Sequence, residues 1–388
     1  MTQSLVAADP TGTGSPLEEL TASHRKDVAE ARQARLVWLA FRKHRLAVVG
    51  LWVLIVFYVV ALLAPVLAPF TPTSFDPDYA YAPPQMLRLG TDRGPEEGFG
   101  LYVYGLEGTR DADTLAVTYE VDLDTRIPVS LFVRGDSYEL FGLISWDQHL
   151  IGPADPDQRI YLLGGDRTGR DLLSRVIYGT QISMTIGLVG VTLAFLLGVT
   201  LGGISGYLSG RTDTVIQRVL EFFMSLPTLP LWLGLAAALP DDWGPTSRYF
   251  AITVILAIVG WTDVARVIRG QFLALREEEF IIGARLDGNH HSRLILRHML
   301  PSLTSQLIAS LTLSIPAMIL AETALSFLGL GLQAPAVSWG VLLQDAQNIR
   351  VVATAPWLLL PGVAVVVAVL SLNFVGDGLR DAADPYRQ

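Results

Sequence analysis

Long apolar runs recur along this chain, and they leave it few ways to fold. They extend from Leu46 to about Leu67, Ile182 to Tyr207, Val215 to Leu239, Tyr249 to Ile268, Leu303 to Leu328 and Pro356 to Phe374. Each is near the roughly 20 residues that cross about 30 Å of hydrocarbon at about 1.5 Å per residue. Hydrocarbon offers no water to backbone N–H and C=O groups, so such runs must be helices. The expectation is an all-α polytopic membrane protein with six transmembrane helices. Hydrophobic residues make up 51% of its 388 residues, more than an ordinary soluble chain carries. The first run is read as an uncleaved span, because it is longer than the roughly 7–15-residue core of a signal peptide.

Between these runs the chain divides into four parts. Residues 1–45 form a polar tail, followed from about Glu18 by an amphipathic elbow helix in which Leu36, Trp38, Leu39 and Phe41 alternate with Arg32, Arg35, Arg42 and Lys43. Residues 46–68 are the first span. Residues 69–178 are acidic and mostly polar. Leu101–Tyr104, Leu115–Val121 and Val129–Val133 read there as short strands, so a small β-rich insertion outside the membrane is expected. Residues 179–388 hold the other spans and a charged loop at 270–302.

Composition removes several chemistries. The chain has no cysteine, which excludes disulfides, thiolate metal sites and cysteine nucleophiles. A formal charge of −9 speaks against nucleic acid as a partner. The segment Leu163 to Gly179 spaces Gly164 and Gly169 like a phosphate loop, but Arg170 and Asp171 stand where Lys and Ser/Thr are needed. Asp and Arg pairs there are expected to fix the start of the next helix. Gly203-Ile204-Ser205-Gly206 has the form of an intramembrane serine protease nucleophile, but none of the six histidines lies within a run to act as its base. An ion-coupled carrier would call for an internal repeat, and none is visible. Gly198, Gly202 and Gly206 instead mark a face where another helix comes close.

The charged loop is built as helix, turn and helix. Glu277, Glu278 and Glu279 favour a helix N-terminus, Gly288 stops that helix, and Asn289 or Ser292 is the expected cap of the next. Gly283 and Ala284 are small enough for another backbone to approach, and Leu300-Pro301 closes the unit. In or near the spans, Glu221, Asp263, Glu322 and Asn373 are the polar candidates for a pathway. Glu322 comes first, and interhelical pairing is the competing role. Asp263 is expected to meet Arg266 or Arg269.

On these residues the chain resembles the permease subunits of ATP-binding-cassette importers. Glu279-Phe-x-x-Gly283-Ala284-Arg-x-x-Gly288, followed by Arg297-His-Met-Leu300-Pro301, is similar to the dipeptide/oligopeptide/nickel branch, C-type subunit. Similar too are Leu163 to Gly179, Asp213-Thr-Val-x-x-Arg218 with Ser225-Leu-Pro-Thr-Leu-Pro, Glu322-Thr-Ala-Leu-Ser-Phe-Leu-Gly-Leu-Gly, and the tail Asn373 to Pro385. The resemblance is strong over 160–388 and weak over 36–68. It implies the type I importer fold, with the loop as a coupling helix docked on an ATPase through Glu279, Gly283, Ala284, Gly288, Leu300 and Pro301. The family pattern places Glu-Ala-Ala where this chain has Ile282-Gly283-Ala284. The acidic contact therefore falls to Glu279, one turn earlier, or is not made by a carboxylate.

The implied partners are a homologous permease in a heterodimer, two ATPase subunits, an extracytoplasmic substrate-binding protein and the lipid bilayer. ATP and magnesium sit on the ATPases, and no cofactor is expected on this chain, which is not itself an enzyme. The implied cargo is a di- or oligopeptide, with a nickel chelate or an oligosaccharide as alternatives. Lys and Arg gather before the first span and in the charged loop, with two more in the tail, whereas the two short opposite loops hold only Arg248 and Arg350. That bias places both termini and the charged loop in the cytoplasm of a bacterial plasma membrane.

Overall fold

The computed structural model describes residues 35–91, 99–110, 117–140, 142–240 and 242–383. The expected tail and most of the expected elbow helix lie outside these residues. Within them, residues 35–41 are helical, with Leu36, Trp38 and Leu39 exposed and Phe41 buried.

Five helices are long and apolar enough to cross a bilayer. They are α1 (Arg45–Leu62), α2 (Leu172–Leu208), α5 (Pro245–Leu275), α7 (Thr304–Phe327) and α9 (Leu360–Ala383), the last prolonged at its start by a turn from Pro356. Between α2 and α5 the chain forms α3 (Gly210–Ser225) and α4 (Thr228–Ala237), which meet at 87° and together make the sixth candidate span. The sequence reading had one broken span here, and the break is close to a right angle. Pro227 lacks an N–H and forces extended backbone on Leu226. Two of the shorter helices bear on function: α6 (Glu279–Leu286) in the charged loop and α8 (Trp339–Gln344) after α7.

Small residues set the packing. α2 and α5 run parallel, and their backbones touch at successive turns. A Cβ on Gly198 would lie 2.9 Å from the Trp261 carbonyl oxygen, and one on Gly206 would lie 2.6 Å from that of Arg269. Between them, Gly202 abuts the Ala265 carbonyl more closely still. α7 crosses α2 where Gly187 meets Ile319 and Gly190 meets Met318. Met184, Ile186, Leu256, Ile319, Leu325 and Trp339 fill the space these crossings enclose.

At one end of the bundle lies a four-stranded antiparallel meander: β1 (Arg88–Thr91), β2 (Phe99–Arg110), β3 (Val117–Leu140) and β4 (Ile144–Pro153). Leu101 faces Val129, which in turn faces Pro153. β3 runs further than the spacing of its apolar residues predicts: Asp122 pairs with Gly105 and Arg126 with Tyr104, and the polar residues between them form a bulge at that register shift instead of ending the strand. Buried His149 fastens the sheet to the end of α1, with Nδ1 2.6 Å from the Ala68 carbonyl oxygen and Nε2 2.9 Å from that of Asp136. The Asp136 carboxylate accepts from Thr71 N at 3.2 Å and Thr71 Oγ1 at 3.1 Å. Burial pushes the Asp136 pKa up, but the hydrogen bonds from Thr71 and Ser74, with Arg159 nearby, outweigh it and hold it below the usual carboxylate range.

Candidate functional site

The far end of the bundle carries α6. Ile281 is its one buried residue, 2% exposed, and it plugs a cluster with Val264, Ile268 and Phe272 of α5 and with Met299 and Leu303. Leu300 packs against the same cluster, and Pro301 is exposed beside it. Burying one isoleucine contributes about 1.5–3 kcal/mol, enough to hold so short a helix in place. The rest of α6 faces outward, with Phe280, Ile282 and Leu286 exposed. Glu279 lies exposed in its first turn. Gly283 is exposed, Ala284 half-buried, and a Cβ on Gly283 would meet nothing within 4 Å. Gly288 has φ +80°, the left-handed turn that ends such a helix. Asn289 does not cap the following helix. Its Nδ2 donates to the Ala284 carbonyl at 2.9 Å, closing the end of α6, and His290 holds the next N-cap position.

A polar belt ties this end together. Asp213 accepts from Arg269 Nε at 2.6 Å and Nη2 at 2.8 Å, and from Ser205 Oγ at 2.5 Å. Arg276 donates to Ser209, and Tyr207 Oη lies 2.7 Å from His291 Nδ1. Ser205 therefore has Asp213 and Gln217 as its partners rather than a histidine, as a buried packing hydroxyl does.

Glu322 sits near the sheet end of α7 and is fully buried. Its Oε1 accepts from Ser326 Oγ at 2.8 Å and Ser338 Oγ at 2.7 Å. Ser326 Oγ accepts from Leu332 N at 3.0 Å, Ser338 Oγ from Val341 N at 3.2 Å, and Ser183 Oγ of α2 from Trp339 N at 3.0 Å. Ser183, Ser326 and Ser338 were not singled out in the sequence; the available sign was a serine opening Ser338-Trp339-Gly340. Next to them, the Leu163–Gly179 segment uses Asp166 to accept from Thr168 N at 2.7 Å and Arg170 N at 3.0 Å, and to pair with Arg175. Asp171 caps α2 by accepting from Ser174 N at 2.8 Å, and burial raises its pKa to about 6.

A cavity of about 270 Å³ opens between α2, the α3–α4 corner, α5 and α7. Val191, Phe223, Trp232, Asp263, Ala317 and Met318 are among its lining residues. Glu322, Glu221 and Asn373 do not line it. Glu221 is exposed on α3, with its Oε2 2.9 Å from Arg218 Nη1, and Asn373 is half-buried on α9.

Comparison with known proteins bears on this arrangement. Residues 198–387 match the family described as binding-protein-dependent transport system inner membrane component. Residues 32–84 match the N-terminal TM domain of oligopeptide transport permease C. The oligopeptide transport system permease protein OppC of Bacillus subtilis is 34% identical over 238 residues, 61% of this chain and 75% of that protein. The dipeptide transport system permease protein DppC of Alkalihalophilus pseudofirmus is 39% identical over 223 residues, 57% of this chain and 71% of that one. OppC of Haemophilus influenzae is 36% identical over 241 residues, 62% and 75% respectively. Among solved structures, an inward-facing MetNI methionine ABC transporter aligns at a TM-score of 0.42 and 16% identity, over 54% of this chain and 96% of that one.

Proposed function

This chain belongs to the permease subunits of binding-protein-dependent ATP-binding-cassette importers, in the oligopeptide and dipeptide branch, and from that premise we propose that it forms half of a membrane pathway for short peptides. A homologous permease completes the pathway. Two ATPase subunits bind beneath α6 and carry the ATP and Mg²⁺, and a substrate-binding protein delivers cargo at the sheet end. The membrane is the bacterial plasma membrane, with both termini and α6 in the cytoplasm. The similarity to oligopeptide and dipeptide permeases favours peptides over nickel chelates or oligosaccharides.

One observation carries this reading. α6 is pinned by Ile281 to the ends of the spans while its opposite face, with Gly283 at an open position, is free to receive another protein. A short stiff helix held in that way passes a push on its outer face into α5 and α7. Closure of the ATPases draws the two coupling helices together and rocks the spans between inward and outward access. Glu279 supplies the acidic contact in place of the family's usual glutamate.

The test is ATP-driven peptide uptake by the reconstituted complex. Gly283→Trp or Ala284→Arg is expected to reduce uptake at least tenfold and to abolish stimulation of ATP hydrolysis by the loaded binding protein, with both permeases still present in the bilayer. Uptake at the normal rate by either variant would overturn the coupling role of α6.

A further inference from the structure

Asp263 is the one carboxylate among the residues that line the cavity. It lies on α5, where the helix still has to rise about 9 Å before reaching Arg269. Its side chain is exposed on the cavity wall, and among the described residues it forms no hydrogen bond or ion pair. The expected pairing is not made: Arg269 is held by Asp213, and Arg266 forms no ion pair with Asp263, its contact being with the Met224 sulfur. The rest of the wall is mostly apolar or aromatic, with Phe223 and Trp232 on the α3–α4 corner. The indole Nε1 of Trp232 is also buried without a partner.

A carboxylate at membrane depth is costly unless something of opposite charge meets it. Low-dielectric walls also strengthen its attraction for a cation. A divalent metal needs six or more oxygen ligands, and one carboxylate beside two threonines and a serine falls far short of that. An organic ammonium needs only a counter-charge, aromatic neighbours and apolar cover, and residues of all three kinds line the cavity.

We propose that this cavity binds the ammonium group of a small organic solute, with Asp263 as counter-charge and Phe223 and Trp232 as its aromatic flank. That the solute is cargo rests on the transport reading above, in which the free amino terminus of a short peptide is the group presented. Ammonium recognition here is then a filter within the membrane, separate from selection by the binding protein.

The chain has no cysteine of its own, so Ala317→Cys places one thiol at an exposed position on the wall. In the assembled complex, this thiol is labelled with a methanethiosulfonate carrying trimethylammonium or with one carrying sulfonate. Each rate is divided by that on free cysteine and read from the mass of this chain. The cationic reagent is expected to react about tenfold faster, Asp263→Asn to bring the ratio close to one, and Asp263→Glu to retain it. Ser314→Cys, also on the cavity wall, repeats the measurement. A ratio indifferent to Asp263→Asn overturns the proposal, as does failure of both reagents to reach either thiol. ATP-driven peptide uptake by the unaltered complex is scored separately. Its absence alongside an Asp263-dependent ratio would remove the transport reading and leave the ammonium site standing.

Discussion

Glu322 shows what a single buried carboxyl can organise. Two serine hydroxyls donate to one of its oxygens, and through them the stretch after α7 is tied to α8. Glu322→Ala removes the acceptor and leaves the Ser326 and Ser338 O–H donors buried without an acceptor, at about 1–3 kcal/mol each. Glu322→Gln keeps a carbonyl oxygen in the same place. The alanine variant is therefore expected to lower the thermal unfolding midpoint of the purified complex clearly more than the glutamine variant. Equal losses would mean that the acceptor is not what matters. The sequence marked Glu322 as notable, since an ionisable group in an apolar run always is. It could not name the partners, because Ser338 and the Ser183 that receives the next residue are brought near only by the fold. The same limit applied at Asp263. Arg266 and Arg269 looked like local partners, yet the close approach of α2 to α5 puts Asp213 beside Arg269 first.

Elements were legible where their cause is local. The glycine repeat on α2 announced a close helix contact, and α5 is the helix it meets. Gly202→Leu is expected to destabilise the folded subunit by about 1–3 kcal/mol, because the side chain would collide with the Ala265 main chain. Gly270→Ala on α5, where a Cβ meets nothing within 4 Å, is the control and should be neutral or gain about 0.5–1 kcal/mol of helix propensity. Comparing the two in denaturant unfolding of the detergent-solubilised chain checks both. Elements were less legible where the cause is a neighbour. The prolines announced a break in the third span, but its 87° angle depends on what α4 packs against. β3 outran its predicted length because pairing with β2 on both sides carries the strand across a polar bulge that looks like a turn in isolation. Asn289 was assigned to the wrong helix since its side chain reaches backward to Ala284 as easily as forward.

For the molecule as a whole, the distribution of cationic residues addresses sidedness. Lys and Arg gather at the α6 end. A reporter fused after Arg387 is therefore expected to read cytoplasmic, and one inserted at Gly108, in the sheet, extracytoplasmic. The reverse pattern would turn the molecule over and detach α6 from any ATPase. The seam between α2 and α5 bears on motion as well. Two rods whose main chains touch turn after turn cannot slide past each other like pistons. Alternating access must then carry the pair as one plank, and the pliable joint belongs at the corner before Thr228, where α3 gives way to α4.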